Sequence, residues 1–404
     1  MRPTRISHRG LYNSNVVYAF VKISEPIRLR PNSEELADQM SRFKRVSGVY
    51  ILSSADAHLH LSWSTNLERR LKRLLQLSYP GRGHGSEKLG DKIDAVDCWL
   101  AGSRLELSLI LYNLAKKLYP DRYERFLKLR MPWFLVLTGR DAYPRLDVRN
   151  RITALFDEIW GPFPTRASAQ EYEQNLLSLF QIRRCTDVLS PDPNHAGCIY
   201  GEMNQCLKPC QARVSAEEYE AETARVRAFL HTNGRSALAE LSSARDLACE
   251  EMRFEEAAFV HKRMEKMKAT AALRSPVAAE ISRMNGVALT RSKVEGRCTL
   301  WPMFEGLWQD AITLDWLSGE ALRSRPPSRD FSLDAQLRDL IETRLLAPRT
   351  DGDRAEELAI FSRWYHSSWR DGEWFPFRTG ADLNYRKLVR EVSKMAHSDV
   401  APTS

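Results

Sequence analysis

The chain has 404 residues, 43% of them apolar and 28% charged, with a formal charge of +8 and a pI near 9.1. That length gives room for about two or three domains with their own cores. No apolar run reaches the roughly 18 residues of a membrane span, and the basic amino terminus, MRPTRISHRGLYNSN, lacks the continuous apolar stretch of a signal peptide. A cytoplasmic protein without a membrane partner is expected. Its seven cysteines do not read there as a disulfide framework, and the positive charge suits a polyanionic partner.

A strand is expected at NVVYAFVKI (15–23), then a helix opening at PNSEELADQMSRF (31–43) with Asn32 or Ser33 as N-cap. GVYILSSADAHLHLS (48–62) alternates apolar and polar residues about a Ser-Ala-Asp-Ala turn, the pattern of a β-hairpin. STNLERRLKRLLQ (64–76) follows as a helix with Leu67, Leu71, Leu74 and Leu75 on one face and Arg69, Arg70, Lys72 and Arg73 on the other. After the glycine-rich PGRGHGSE come a strand, AVDCWLAG (95–102), and a helix over 103–120. This order describes a small α+β domain ending near residue 125.

Residues 131–180 predict a strand at PWFLVLT, a turn, the segment IWGPFP and the helix ASAQEYEQNLLSLF. From about 212 to 272 the pattern is helical, broken at HTNGRS and near EEMRFEE. Beyond 280 come short strands (GVALTRS, CTLWPMFEG, AITLDWL), a Pro/Arg/Ser linker and helices. The aromatic-rich WRDGEWFPF near the end reads as core packing, with stacking on bases as the alternative.

Four cysteines stand together as Cys-x12-Cys-x7-Cys-x3-Cys: Cys185, Cys198, Cys206 and Cys210. Thiolates are soft ligands that suit zinc or an iron–sulfur cluster. Structural zinc usually uses paired Cys-x2-Cys knuckles, and here the one close pair is Cys206 and Cys210, so the spacing favours iron–sulfur and leaves zinc open. Arg183, Arg184 and Lys208 lie near enough in sequence to offset thiolate charge.

The stretch FQIRRCTDVLS…GCIYGEMNQCLKPCQARVSAEEY resembles the cysteine segment of the UvrC family, the UvrC component of the UvrABC excinuclease. TGRDAYPRLDV and WGPFPTRASAQEYEQNLLSLF are similar to the family's stretch before that segment, and ARDLACEEMRFEEAAFVHKRMEKM to the hairpin by which UvrC meets UvrB. The matches cover roughly residues 45–270 in order; residues 280–404 resemble the family only vaguely. The resemblance implies a 4Fe-4S cluster on Cys185, Cys198, Cys206 and Cys210. It implies DNA as a partner, and a UvrB-like protein bound through a 237–270 hairpin, with Phe254, Glu255 and Ala258 at the contact. The expected organisation is an extension (1–45), a GIY-YIG-like domain (46–125), a linker and cluster module (126–215), a UVR-like helical segment (216–275) and an α/β region of unknown role (280–404).

A GIY-YIG nuclease uses a tyrosine to activate water, an arginine against phosphate and a glutamate to hold a divalent metal. The first motif is Gly48-Val49-Tyr50, but the second falls on His60-Leu61-Ser62 and the lysine after it is Trp63. Asn66 and Arg70 match the family's Asn-Leu-x-x-Arg. The resemblance thus assigns Tyr50, His60 and Arg70 to the catalytic positions and Arg69, Arg70, Lys72 and Arg73 to phosphate contact. The metal-binding glutamate position is Leu111, which offers Mg²⁺ no oxygen. Glu106 lies about 140° around the same helix. An accessory repair protein with an impaired nuclease site is therefore expected. The alternatives are a working endonuclease using Mg²⁺ and a metal-stabilised interaction scaffold.

Overall fold

The computed structural model describes residues 25–30, 39–40, 43–54, 57–75, 93–139, 142–152, 157–315, 333–346, 348–350 and 352–397. The strand expected at 15–23, nearly all of the helix at 31–43, the loop at 80–87 and the linker at 323–330 lie outside them. Contacts divide the chain into two units, one made of residues 1–130 with 285–404 and the other of residues 131–284. No helix among the described residues is long and apolar enough to cross a membrane.

The first unit opens with strands β1 (Ile27–Leu29), β2 (Ser47–Ser54), β3 (Ala57–Ser64) and β4 (Ala95–Ala101), an antiparallel sheet in the order β1-β4-β2-β3. The expected hairpin is β2–β3. Register pairs Tyr50 with Ser62 and Cys98, and Val49 with Trp63 and Trp99, so successive residues feed opposite faces. A Cβ on Gly48 would collide with the carbonyl oxygen of Trp99, which is why the close pairing of β2 with β4 requires glycine there. Helix α1 (Leu67–Leu74) starts where the Asn66 side chain accepts the Arg69 N–H at 2.9 Å. It buries Leu67 and Leu71 with Tyr50, Leu52, Val96 and Cys98. Ser103 caps α2 (Arg104–Leu118), which runs along β2, β3 and β4, and a short α3 (Tyr123–Leu127) follows.

The described part of the expected 1–45 extension is built into this sheet. Its β1 pairs with β4, and Arg28 clasps Asp97 through two 2.7 Å hydrogen bonds.

The second unit contains β5 (Trp133–Leu137), β6 (Leu146–Arg149), β7 (Glu158–Phe163), α4 (Arg166–Leu177), α5 (Ile199–Glu202), α6 (Ala216–Thr232), α7 (Arg235–Glu250), α8 (Phe254–Ala272) and β8 (Ala279–Glu280). Its sheet runs β6-β5-β7-β8. The expected helix breaks appear at Asn233 and Gly234 and at Met252, all with left-handed backbone. Tyr172, Leu176, Phe180, Tyr219, Val226, Phe229 and Met267 share one core with Leu135, Trp160 and Phe163. The boundary expected at 215/216 is therefore absent: α6 and α8 supply core residues to the same unit as the strands and the cysteine segment.

The rest of the first unit adds β9 (Asn285–Arg291), β10 (Arg297–Phe304), β11 (Leu307–Trp308), β12 (Ile312–Asp315), α9 (Leu333–Leu346), α10 (Arg354–Tyr365), β13 (Gly372–Phe377) and α11 (Tyr385–His397). The sheet order is β11-β10-β9-β13, with β12 also on β10. The sequence predicts only helices after the linker, but GEWFPF forms β13 on β9, with Phe375 and Phe377 in the core. Pro376 is tolerated because β13 lies at the sheet's margin.

The described residues from Asn285 onward, expected as part of a region of their own, belong to the first unit. Glu356 of α10 accepts hydrogen bonds from Tyr112 Oη at 2.7 Å, Lys116 Nζ at 2.8 Å and Tyr123 Oη. Burial opposes the charge on Glu356, but Lys116, Tyr123 and Tyr112 outweigh it and hold the carboxyl below its usual range.

Candidate functional site

In the first unit the sheet brings Tyr50 of β2, His60 of β3 and Arg70 of α1 together. Arg70 Nε donates to Tyr50 Oη at 2.9 Å, and the Tyr50 and His60 rings stand 6.3 Å apart. The tyrosine is fully buried, because β2 turns it toward Leu67 and Leu71. Partial burial, and then the Arg70 charge, push the His60 imidazole below its ordinary range, so the ring is neutral at neutral pH and able to accept a proton. The arrangement can place the Arg70 cation against a phosphate, its guanidinium oriented by the Tyr50 phenol. On the outer side of α1, Arg69 and Arg73 are exposed, while Lys72 is paired with Glu68 at 2.7 Å.

The metal half of such a site has no oxygen ligand at the position that should supply it. Leu111 is 6% exposed and packs as an ordinary core side chain of α2. Glu106 closes the start of its own helix, accepting the Gly102 N–H at 2.7 Å. Burial raises the Glu106 carboxyl, against the Gly102 hydrogen bond and the Lys293 charge. Among the described residues, no group of three or more His, Cys, Asp or Glu side chains stands in metal-holding geometry.

In the second unit Cys185, Cys198, Cys206 and Cys210 lie in a segment with little regular structure between α4 and α6. All seven cysteines of the chain are unbridged. Burial raises the Cys206 thiol, and the charges of Cys185, Cys198 and Cys210 raise it further; Cys210 is raised by burial, then by Cys198 and Cys185. The four sulfurs are thus neighbours that repel as thiolates, the charge problem a cationic centre relieves. Their donor chemistry fits an iron–sulfur or zinc centre, although the sulfurs are not closed around a single ion.

The loop that carries them is shaped against local preference. Gly197, Asn204, Lys208 and Ala212 all have left-handed backbone, which costs the three non-glycine residues about 1 kcal/mol or more each. Arg183, only 2% exposed, ties the segment down. It donates from Nε to the Tyr143 carbonyl at 2.7 Å and from Nη1 to the Asp187 carbonyl at 2.8 Å, and Nη1 lies 3.9 Å from Cys185 Sγ. Its main-chain N–H meets Tyr219 Oη at 2.8 Å. Of the cations expected to offset thiolate charge, Arg183 is in place. Arg184 turns to the Leu177 carbonyl and the Tyr200 ring, and Lys208 lies against Gly201.

The hairpin α7–α8 is rooted at one end and open at the other. Leu238, Leu241, Met267 and Ala271 pack on the unit's core, and Ala248, Ala257 and Met264 are buried along the hairpin. At the tip Phe254 is 67% exposed, and Glu255 and Ala258 are exposed beside it. Leu247 and Met252 are also exposed, and Phe259 at 69%. Helical spacing places Leu247 in the packed stripe and gives Met252 and Phe259 no role. The available signal for Phe259 is an aromatic lying off that stripe. Arg253 holds the corner through ion pairs with Glu251 and Glu256.

Residues 131–229, which contain all four clustered cysteines, match the family model described as UvrC/Cho excinuclease, middle domain. The chain is similar to UvrABC system protein C of Aliivibrio fischeri, at 25% identity over 55% of this chain and 36% of that protein. It is similar to the same-named protein of Desulfitobacterium hafniense, at 27% over 60% of this chain and 39% of that one. For Desulforudis audaxviator the identity is 25% over 82% of this chain and 53% of the relative. The matches thus span from about a third to about half of these relatives' length. No solved structure matches the chain. The chain thus carries a match to the UvrC/Cho middle domain over residues 131–229 and is similar to UvrC proteins across more than half its length.

Proposed function

We propose that the protein acts in nucleotide excision repair as a DNA-binding, accessory relative of UvrC whose GIY-YIG-like nuclease site is impaired. The observation that carries this reading is the cysteine quartet inside the matched middle domain, followed after α6 by a hairpin with an exposed aromatic tip. Cys185, Cys198, Cys206 and Cys210 would hold a 4Fe-4S cluster, zinc being the alternative. The cluster would add to the hydrogen bonds that Arg183 and Gln181 make to this loop, among them Gln181 Nε2 to the Asn204 carbonyl at 2.7 Å. Phe254, with Glu255 and Ala258, would meet a UvrB-like protein, and the added exposed area of Met252 and Phe259 is what such a contact needs.

In the first unit Arg69, Arg70 and Arg73 would meet DNA phosphates, and Tyr50 and His60 would line the vestigial catalytic face. Leu111 is buried and Glu106 is engaged at its helix start, so neither supplies an oxygen for Mg²⁺ there. A second reading, a working endonuclease, draws support from the Arg70–Tyr50 hydrogen bond and the neutral His60. Incubation with a supercoiled, lesion-bearing plasmid and Mg²⁺ or Mn²⁺ separates the two. The impaired site leaves the plasmid closed; nicking that disappears in Arg70→Ala establishes the endonuclease.

A further inference from the structure

On the sheet face away from Tyr50, two exposed tryptophans flank one arginine. Trp63, 40% exposed, stands near the end of β3, and Trp369, 37% exposed, follows α10. The Arg104 guanidinium carbon lies 6.0 Å from the Trp63 ring centroid and 5.6 Å from that of Trp369. Register fixes the separation from the nuclease-like residues: Trp63 is paired with Val49, whereas Tyr50 is paired with Ser62 and faces the other way.

Arg104 is the first residue of α2, so the positive end of the helix adds to its charge. Asp371 accepts the Arg104 main-chain N–H at 2.5 Å and the Trp364 indole N–H at 3.0 Å, which fixes the turn that carries Trp369. Three distant segments thus hold two indoles at a cation, with ring surface open to solvent. Large exposed aromatics are costly to leave in water, and a cation between them discourages a purely apolar partner.

We propose that Trp63, Arg104 and Trp369 form a platform for single-stranded nucleic acid, the indoles stacking on unpaired bases while Arg104 meets the phosphate backbone. Stacking of this kind needs π-faces and positive charge and is indifferent to base identity. A paired base in a duplex offers no free face, so the platform selects unwound DNA. This refines the DNA-binding reading above and rests on it.

The test measures binding of the full chain to a short oligothymidylate and to a duplex of matched length, at one salt concentration. Trp63→Ala with Trp369→Ala is expected to weaken oligothymidylate binding roughly tenfold or more, with duplex binding and melting temperature unchanged. Trp63→Phe with Trp369→Phe, which keeps a π-face at both positions, is expected to retain most of the affinity. Equal oligothymidylate binding by the alanine variant and the native chain overturns the platform, as does a native chain that binds duplex alone. A native chain that binds neither overturns the platform and the DNA-binding reading together. Parallel loss on both ligands assigns the tryptophans a general role in the fold and also overturns the platform, and an alanine variant that loses only a protein partner does the same.

Discussion

Arg183 illustrates how much a single side chain carries in the cysteine segment. Its guanidinium serves the carbonyls of Tyr143 and Asp187, so Arg183→Leu leaves both acceptors without that donor. The expected cost is about 2 kcal/mol of unfolding free energy, read by denaturant titration. The three isolated cysteines differ among themselves, Cys98 and Cys298 being buried and Cys249 exposed. Burial, aided by the Asp97 charge, pushes the Cys98 thiol up to about 12, and burial takes Cys298 to about 11. Iodoacetamide at neutral pH should therefore label exposed Cys249 in the folded protein and spare Cys98 and Cys298 until denaturant is added; peptide mapping by mass spectrometry decides it. Glu356 yields a pH prediction. Because its folded pKa is depressed, its stabilisation is present above the ordinary glutamate range, about 4.3, and is lost as pH falls through the lower folded value. Glu356→Ala is expected to cost about 3 kcal/mol at neutral pH, and the gap to the native chain should narrow in acid.

Individual elements are largely legible in the sequence, since short-range patterns decide them. Alternation marks the β2–β3 hairpin, the leucine spacing marks α1, and the breaks at Asn233 and Met252 separate α6, α7 and α8. What stays hidden depends on partners far along the chain. Strand β13 owes its conformation to pairing Gly372 with Thr290 and Phe375 with Val287, which no local window reveals. The α7–α8 hairpin reads from sequence as an element with apolar stripes, but only the structure separates the packed base from the open tip. Replacing Phe254 and Phe259 together by alanine should leave stability within about 0.5 kcal/mol, because both are exposed. The same change is expected to weaken binding to a UvrB-like hairpin roughly 30-fold or more. Unchanged affinity in a direct binding titration would remove the tip from the contact.

At the scale of the molecule, the five expected segments become two units because the ends of the first are joined by strand pairing and by a buried carboxylate. Arg28–Asp97 draws the early strand into the sheet, and Glu356 links α10 to Tyr112 and Lys116. Charge and side-chain complementarity across hundreds of residues leave no mark on local composition. The candidate sites are legible to different degrees for the same reason. The cysteine quartet stands out by its spacing and Tyr50 and Arg70 by the family resemblance, whereas the Tyr50–Arg70 hydrogen bond, the burial of Leu111 and the engagement of Glu106 follow from packing. In the proposed function, Cys185, Cys198, Cys206 and Cys210 hold an inorganic cluster that fastens their loop. Iron and sulfide analysis of the anaerobically purified 404-residue chain, with its melting temperature before and after chelation, tests this most directly. Brown protein with about four irons per chain and a lower melting temperature once stripped is the expected result; colourless, iron-free protein with four titratable thiols and an unchanged melting temperature would contradict it.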